Sequence, residues 1–146
     1  MITEIYHYIA SKNNAQYFFE SDGVQGKILK VVLFTHVKEN NWNLGFGDWH
    51  KGEIDDAIIS NNQDLIRVIG TVAQIASNYL EIHPQRCLEI KPIDEKRKRL
   101  YNHVFRRHFK EIDSIFQIIG YINGIGEIYS IEKNYDNFEI KRKFES

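Results

Sequence analysis

The sequence predicts an α+β fold: a mostly antiparallel sheet with two long helices packed on one face, a two-layer sandwich in the order roughly β-β-β-β-α-β-α-β-β. Three observations carry this expectation. Short aromatic and β-branched runs closed by hairpin-type turn residues occupy both ends of the chain, and strands outnumber helices. Two central stretches place apolar residues at the helical period instead. The length, 146 residues, fits one domain spanning residues 1–146 and permits a core without disulfides or metals.

In chain order, residues 4–10 (EIYHYIA) and 16–21 (QYFFES) are aromatic strands, with Asp22-Gly23 as a hairpin turn and Gly26 permitting a bulge beside it. Residues 26–39 (GKILKVVLFTHVKE) form the longest strand candidate, and Asn40-Asn41 turn the chain into residues 42–49 (WNLGFGDW). Alternation is imperfect here, as expected of a sheet covered on both faces. Residues 51–63 are a polar connection with room for one short helical turn. Asn62 is the natural N-cap of a helix over residues 64–83, with Asp64 at its positive end. Leu65, Val68, Ile69, Val72, Ile75, Ala76, Tyr79 and Leu80 give that helix its core face, and Pro84 stops it. RCLEI at 86–90 is a brief strand, and Pro92 introduces a second helix over residues 94–116. QIIGYI (117–122), a turn at Asn123-Gly124, EIYSIE (127–132), a turn near Asn134 and FEIKRKF (138–144) complete the sheet. No repeat, low-complexity segment or interdomain linker interrupts this pattern.

The second helix concentrates charge on one side. At 100° per residue, Lys96, Arg99, His103, Arg106, Arg107 and Lys110 fall within about one third of the circumference. Leu100, Tyr101, Val104, Phe105, Phe109 and Ile112 take the other side, the stripe needed for docking on a core. Arg97 breaks the division by projecting on the flank of Tyr101, Val104 and His108, where a permanent cation needs a carboxylate, carbonyls or an anion. Arg97, Tyr101 and His108 thus form a candidate pocket, against the plainer expectation of a hydrogen-bonded buried network.

Net charge is −1, yet residues 91–110 hold eight cations against two carboxylates, a net of +6, so the rest of the chain carries −7. A Lys/Arg stripe on a docked helix is the electrostatic footprint of phosphate binding, to nucleic acid or to a nucleotide. The plain alternative is a solvated face, which the few nearby acids, Asp94, Glu95 and Glu111, do not neutralise. The C-terminal Lys141, Arg142 and Lys143 extend the patch or lie elsewhere; sequence does not place them.

Other chemistry is weakly signalled. Gly45 and Gly47 make a GxG whose third glycine is replaced by His50, without the Lys-Ser/Thr of a phosphate loop. Asp48, His50, Asp55 and Asp56 have the ligand types for Mg²⁺ or Mn²⁺ but lack a second acidic cluster, so turn and capping roles compete. No GxSxG, HExxH or CxxC occurs, and the histidines at 7, 36, 50, 83, 103 and 108 show no ligand spacing. The lone Cys87 excludes an internal disulfide and a cysteine-built zinc site and is expected to be a small buried hydrophobe. MITEIYHYIA has no basic region followed by an apolar run, and the longest apolar run is only residues 31–34 (VVLF), so no membrane association and a cytoplasmic location are expected.

Several short patterns carry a resemblance. Asn43-Leu44-Gly45-Phe46-Gly47-Asp48, Asp55-Asp56 with Asn61-Asn62 and Asp64, Val68-Ile69-Gly70-Thr71-Val72-Ala73 and Arg97-Lys98-Arg99-Leu100-Tyr101 together resemble a family of similar-sized uncharacterised bacterial proteins frequent in the Bacteroidetes. The resemblance implies one compact domain and supplies no activity or catalytic residue. Related patterns look like some phage proteins, a resemblance that implies a role in phage-host conflict or a toxin-antitoxin pair as an alternative. The expected function is non-enzymatic binding, without a cofactor, of nucleic acid or nucleotide through the basic helix. The alternatives are a protein-interaction component of a toxin-antitoxin or phage-defence module, acting with a partner protein or as a homo-oligomer, and a metal-dependent hydrolase.

Overall fold

A computed structural model describes the backbone of residues 4–50, 53–55 and 64–143. The elements are β1 (Tyr8–Ala10), β2 (Gln16–Gly23), β3 (Gly26–Lys38), β4 (Asn41–His50), β5 (Glu53–Asp55), α1 (Leu65–Ile82), β6 (Cys87–Ile90), α2 (Glu95–Arg107), α3 (Phe109–Ile115), β7 (Phe116–Ile122), β8 (Ile125–Ile128) and β9 (Asn137–Arg142). The strands hydrogen-bond in the order β1-β2-β3-β4-β6-β9-β7-β8, with β5 beside β4. The fold is therefore α+β with a mostly antiparallel sheet; β4 and β6 pair in parallel. Among the described residues, no helix is long and apolar enough to cross a membrane. The chain divides into two compact units, residues 2–35 with 44–79, and residues 36–43 with 80–146.

The first unit holds β1, β2, β5, most of β3 and β4, and α1 as far as Tyr79. Val31 and Val32 are both fully buried although neighbouring strand residues point to opposite faces, so both faces of β3 are covered. Tyr17 lies opposite Val32 and Phe18 opposite Val31. On one face Phe34 stacks on Tyr79 of α1 at 3.8 Å between ring centroids; on the other Phe18 meets Trp49 edge-on at 5.4 Å. Val68, Thr71, Ile75 and Tyr79 are the buried seam of α1, spaced at helical period. Leu65, expected on that seam, is exposed at the first turn, whereas Thr71 is buried because its hydroxyl accepts the Tyr6 N–H at 2.8 Å.

The first hairpin turns at residues 24–25: Asp22 and Gly23 stay in β2 opposite Lys27 and Gly26, and Gly26 takes the left-handed conformation (φ 87°) that closes the loop. The next reversal uses Glu39 and Asn40, with Glu39 left-handed, one residue earlier than expected. Part of the expected polar connection is strand β5, its Asp55 opposite Asp48. Asp56 and the N-cap candidate Asn62 lie outside the described residues.

The second unit contains β6, α2, α3, β7, β8 and β9. Leu88, Ile118, Phe138 and Ile140 form its buried sheet face, and Phe105 of α2 stacks on Phe138 at 4.2 Å. The helix expected over residues 94–116 is two helices. His108 sits between them at φ −108°, ψ 25°, and the break lets Phe109 stack on Tyr129 while Phe105 keeps Phe138. Asn123 and Gly124, both left-handed, make the two-residue hairpin turn whose twist suits flanking strands. That turn sets Ile122 opposite Ile125, so β8 covers residues 125–128 instead of 127–132, and Tyr129 leaves the sheet for the aromatic core.

Candidate functional site

Helix α2 starts at Asp94, an extended residue whose carboxylate accepts the Arg97 N–H at 2.8 Å, the usual way to satisfy an open first-turn donor. The same carboxylate answers what balances Arg97. Its guanidinium, only 6 % exposed, donates to Asp94 Oδ2 at 2.9 Å. Arg97 Nε remains buried without a hydrogen-bond partner among the described residues. His108 lies about 16 Å further along by helical rise, at the break, so Arg97 and His108 are not brought together. Tyr101 is half-buried between them.

One flank of α2, from buried Asn102 to exposed Arg106, grips the segment between β8 and β9. Asn102, buried, donates to the Tyr135 carbonyl at 2.9 Å and accepts the Tyr135 N–H at 2.8 Å, a reciprocal pair. Lys98 donates to Asp136 at 2.7 Å, and Asp136 also accepts the Asn123 N–H at 2.8 Å. The Lys98 hydrogen bond, followed by that N–H, holds the Asp136 carboxyl below its ordinary value, and Asp136 raises Lys98 in turn. Arg106 donates to the carbonyls of Ile131 and Lys133 and to Asn134 Oδ1. Expected in the phosphate-binding stripe, Arg106 instead pins a loop.

The other stripe members face water. Lys96, Arg99, His103 and Arg107 of α2 and Lys110 of α3 are exposed, and none has an ion pair or hydrogen bond among the described residues. Lys96 with Arg99, and Arg107 with Lys110, sit three residues apart, so each is the near neighbour of another cation, an arrangement that costs about 0.2–0.5 kcal/mol per pair on a helix surface. Of the C-terminal basic residues, Lys143 reaches Asp113 (3.5 Å) and its carbonyl (2.6 Å), and Lys141 lies in β9 opposite Cys87.

Two polar clusters escaped the sequence reading. In the first unit Lys30, 3 % exposed, points to the same face as Phe19 and Phe46 and meets Asp48 Oδ1 at 2.5 Å. Asp64 accepts from Tyr6 and Ser21, both at 2.5 Å. The visible signal was a lysine within the apolar run of β3, in register with buried Phe19. Asp48, a metal-ligand candidate, is thus committed to an ammonium; Asp55 is opposite it in the ladder, and the side chains of His50, Asp55 and Asp56 fall outside the described ones. Among the described residues no group of three or more His, Cys, Asp or Glu is arranged to hold a metal ion. In the second unit Glu89 and Glu139 face each other across β6 and β9, and Tyr121 donates to Glu139 at 3.0 Å. Burial first, then that carboxylate, pushes the Tyr121 phenol up to about 12. Burial, then Glu139, pushes the Cys87 thiol up, consistent with an inert, half-buried side chain.

No curated protein and no solved structure matches the chain. The sequence profile of a family of unknown function, DUF6934, matches residues 3–143, and the protein belongs to that family.

Proposed function

We propose that the protein is a non-enzymatic binding protein that holds a phosphate-bearing partner, nucleic acid or nucleotide, on the exposed basic face of α2 and α3, in a cytoplasmic setting. The observation that carries this reading is the division of labour among the helix cations. Arg97, Lys98 and Arg106 each find an internal partner. Lys96, Arg99, His103 and Arg107 stand exposed along one arc of the helix, with no carboxylate among the described residues paired with them. An anion relieves their mutual repulsion, and a helix already anchored through Arg97, Asn102 and Phe105 loses little freedom when it binds. The test is the triple reversal Lys96→Glu, Arg99→Glu, Arg107→Glu, which spares Arg106 because that residue holds the loop. Filter binding of a mixed nucleic-acid pool should fall by at least about 100-fold, a scale that loss of several phosphate contacts supports, while the melting temperature stays nearly unchanged. A folded triple variant that binds as wild type would sink the reading.

A second reading, a protein-interaction component such as half of a toxin-antitoxin or phage-defence pair, draws on the edge strand β8, where Ile125 and Ile128 are each 74 % exposed. Edge strands offer unpaired backbone groups to another chain. A stoichiometric protein partner that survives nuclease treatment and is lost on Ile128→Lys favours this reading; retention of that partner by the variant counts against it.

A further inference from the structure

Resting on the phosphate-binding reading, we infer that the partner is a nucleic-acid duplex, gripped along one phosphate strand without reading of its bases. The exposed basic residues without an ion pair among the described residues run in a line. From Lys96 to Arg107 the helix advances about 16 Å, and at 100° per residue Lys96, Arg99, His103 and Arg107 stay within an arc of about 80°. A mononucleotide concentrates its phosphates within a few ångströms and needs converging donors, whereas side chains on the convex exterior of a helix diverge. Phosphates repeating along a backbone match a line of cations.

Unpaired bases require something to stack on. Single-strand binders interleave aromatic side chains with cations. The exposed large apolar side chains among the described residues are Ile9, Val24, Leu29, Val37, Leu65, Ile66, Ile82, Ile93, Ile125, Ile128 and Ile131, and every one is aliphatic. His103 is the one ring on the basic arc. A duplex keeps its bases stacked on each other and asks only for charge.

Arg99 and Arg107 can meet guanine as well as phosphate, but no amide accompanies them on the arc to read adenine. The amide side chain best suited to adenine in the major groove, Asn102, is turned inward and spent on the Tyr135 backbone. Outside residues 91–110 the chain is net negative, so its excess of positive charge is concentrated in the segment that holds this helix.

Fluorescence anisotropy of the full chain against two unrelated 20-base-pair DNA duplexes, a duplex RNA, a 20-nucleotide oligo-dT and ATP tests the inference. Either or both duplex types should bind at least ten-fold tighter than oligo-dT, the two DNA sequences within three-fold of each other, and ATP not at all at the same concentration. DNA against RNA identifies the source of the duplex. Equal or tighter binding of oligo-dT or ATP overturns the duplex inference and leaves the phosphate-binding reading standing. A ten-fold preference between the two DNA sequences overturns backbone-only recognition. Failure to bind any probe at low salt overturns both.

Discussion

Lys30 shows what a single residue in an apolar strand demands. An ammonium removed from water needs a counter-charge, and Asp48, whose side chain is 11 % exposed, supplies it at 2.5 Å. Asp48→Asn removes the charge balancing a buried cation and should cost roughly 3–5 kcal/mol, measured by urea unfolding. The pair replacement Lys30→Met with Asp48→Leu should recover most of that loss. A cost below about 1 kcal/mol for Asp48→Asn, the range of exposed pairs, would show that Lys30 is held by other means. Gly120 makes a second demand: a Cβ there would lie 2.3 Å from the ring of Tyr135, a side chain with no exposed surface and no room to retreat. Gly120→Ala should destabilise by about 2–3 kcal/mol, the scale of overpacking. At this scale the sequence was partly legible. Arg97 could be singled out because a cation on a docking face needs a partner. Its partner, Asp94, was harder to assign because a cap residue three positions upstream serves both the backbone and the guanidinium.

Among elements, α2 is defined by the segment it clamps. Asn102, Lys98 and Arg106 bind residues 131–136 at successive turns, so the loop and the helix should unfold together. Asn102→Ala strands a buried carbonyl and N–H of Tyr135 and should cost about 2–3 kcal/mol in chemical denaturation. Asp136 adds a pH signature. Its folded value lies below the ordinary 3.8, so its contribution is present above that value and is lost as pH falls through the lower one. Asp136→Asn should therefore flatten the fall in urea midpoint between pH 5 and pH 3; an unchanged fall would mean that the Lys98 contact does not persist in solution. Long elements were legible: β2 and β3 from their aromatic and β-branched runs, α1 from its helical seam and from Pro84 as its stop, whereas the strand expected over residues 4–10 is only Tyr8–Ala10. The helix break at His108 was not, because it is imposed by where Phe109 and Tyr129 meet. The β8 register was set by the two left-handed residues Asn123 and Gly124, a turn correctly recognised but followed by too late a strand.

For the molecule as a whole, composition conceals the feature that matters. A net charge of −1 implies no attraction to a polyanion, yet +6 is gathered in twenty residues, and the fold commits part of that charge to internal partners and leaves Lys96, Arg99, Arg107 and Lys110 in water beside His103. The candidate face was legible as a helical stripe, but the assignment of Arg106 to a loop emerges only when residues far apart in the chain are brought together. Membership of a family of unknown function assigns no activity, so the proposed role of this surface rests on its own test. The salt dependence of duplex binding decides it most directly. With about four phosphates engaged, the slope of log K against log salt for the wild type should be about −3 to −4. Arg99→Gln should reduce its magnitude by about 1 while weakening binding equally for unrelated sequences. A wild-type slope near zero, or an Arg99→Gln slope equal to that of the wild type, would contradict the claim that this helix grips a phosphate backbone.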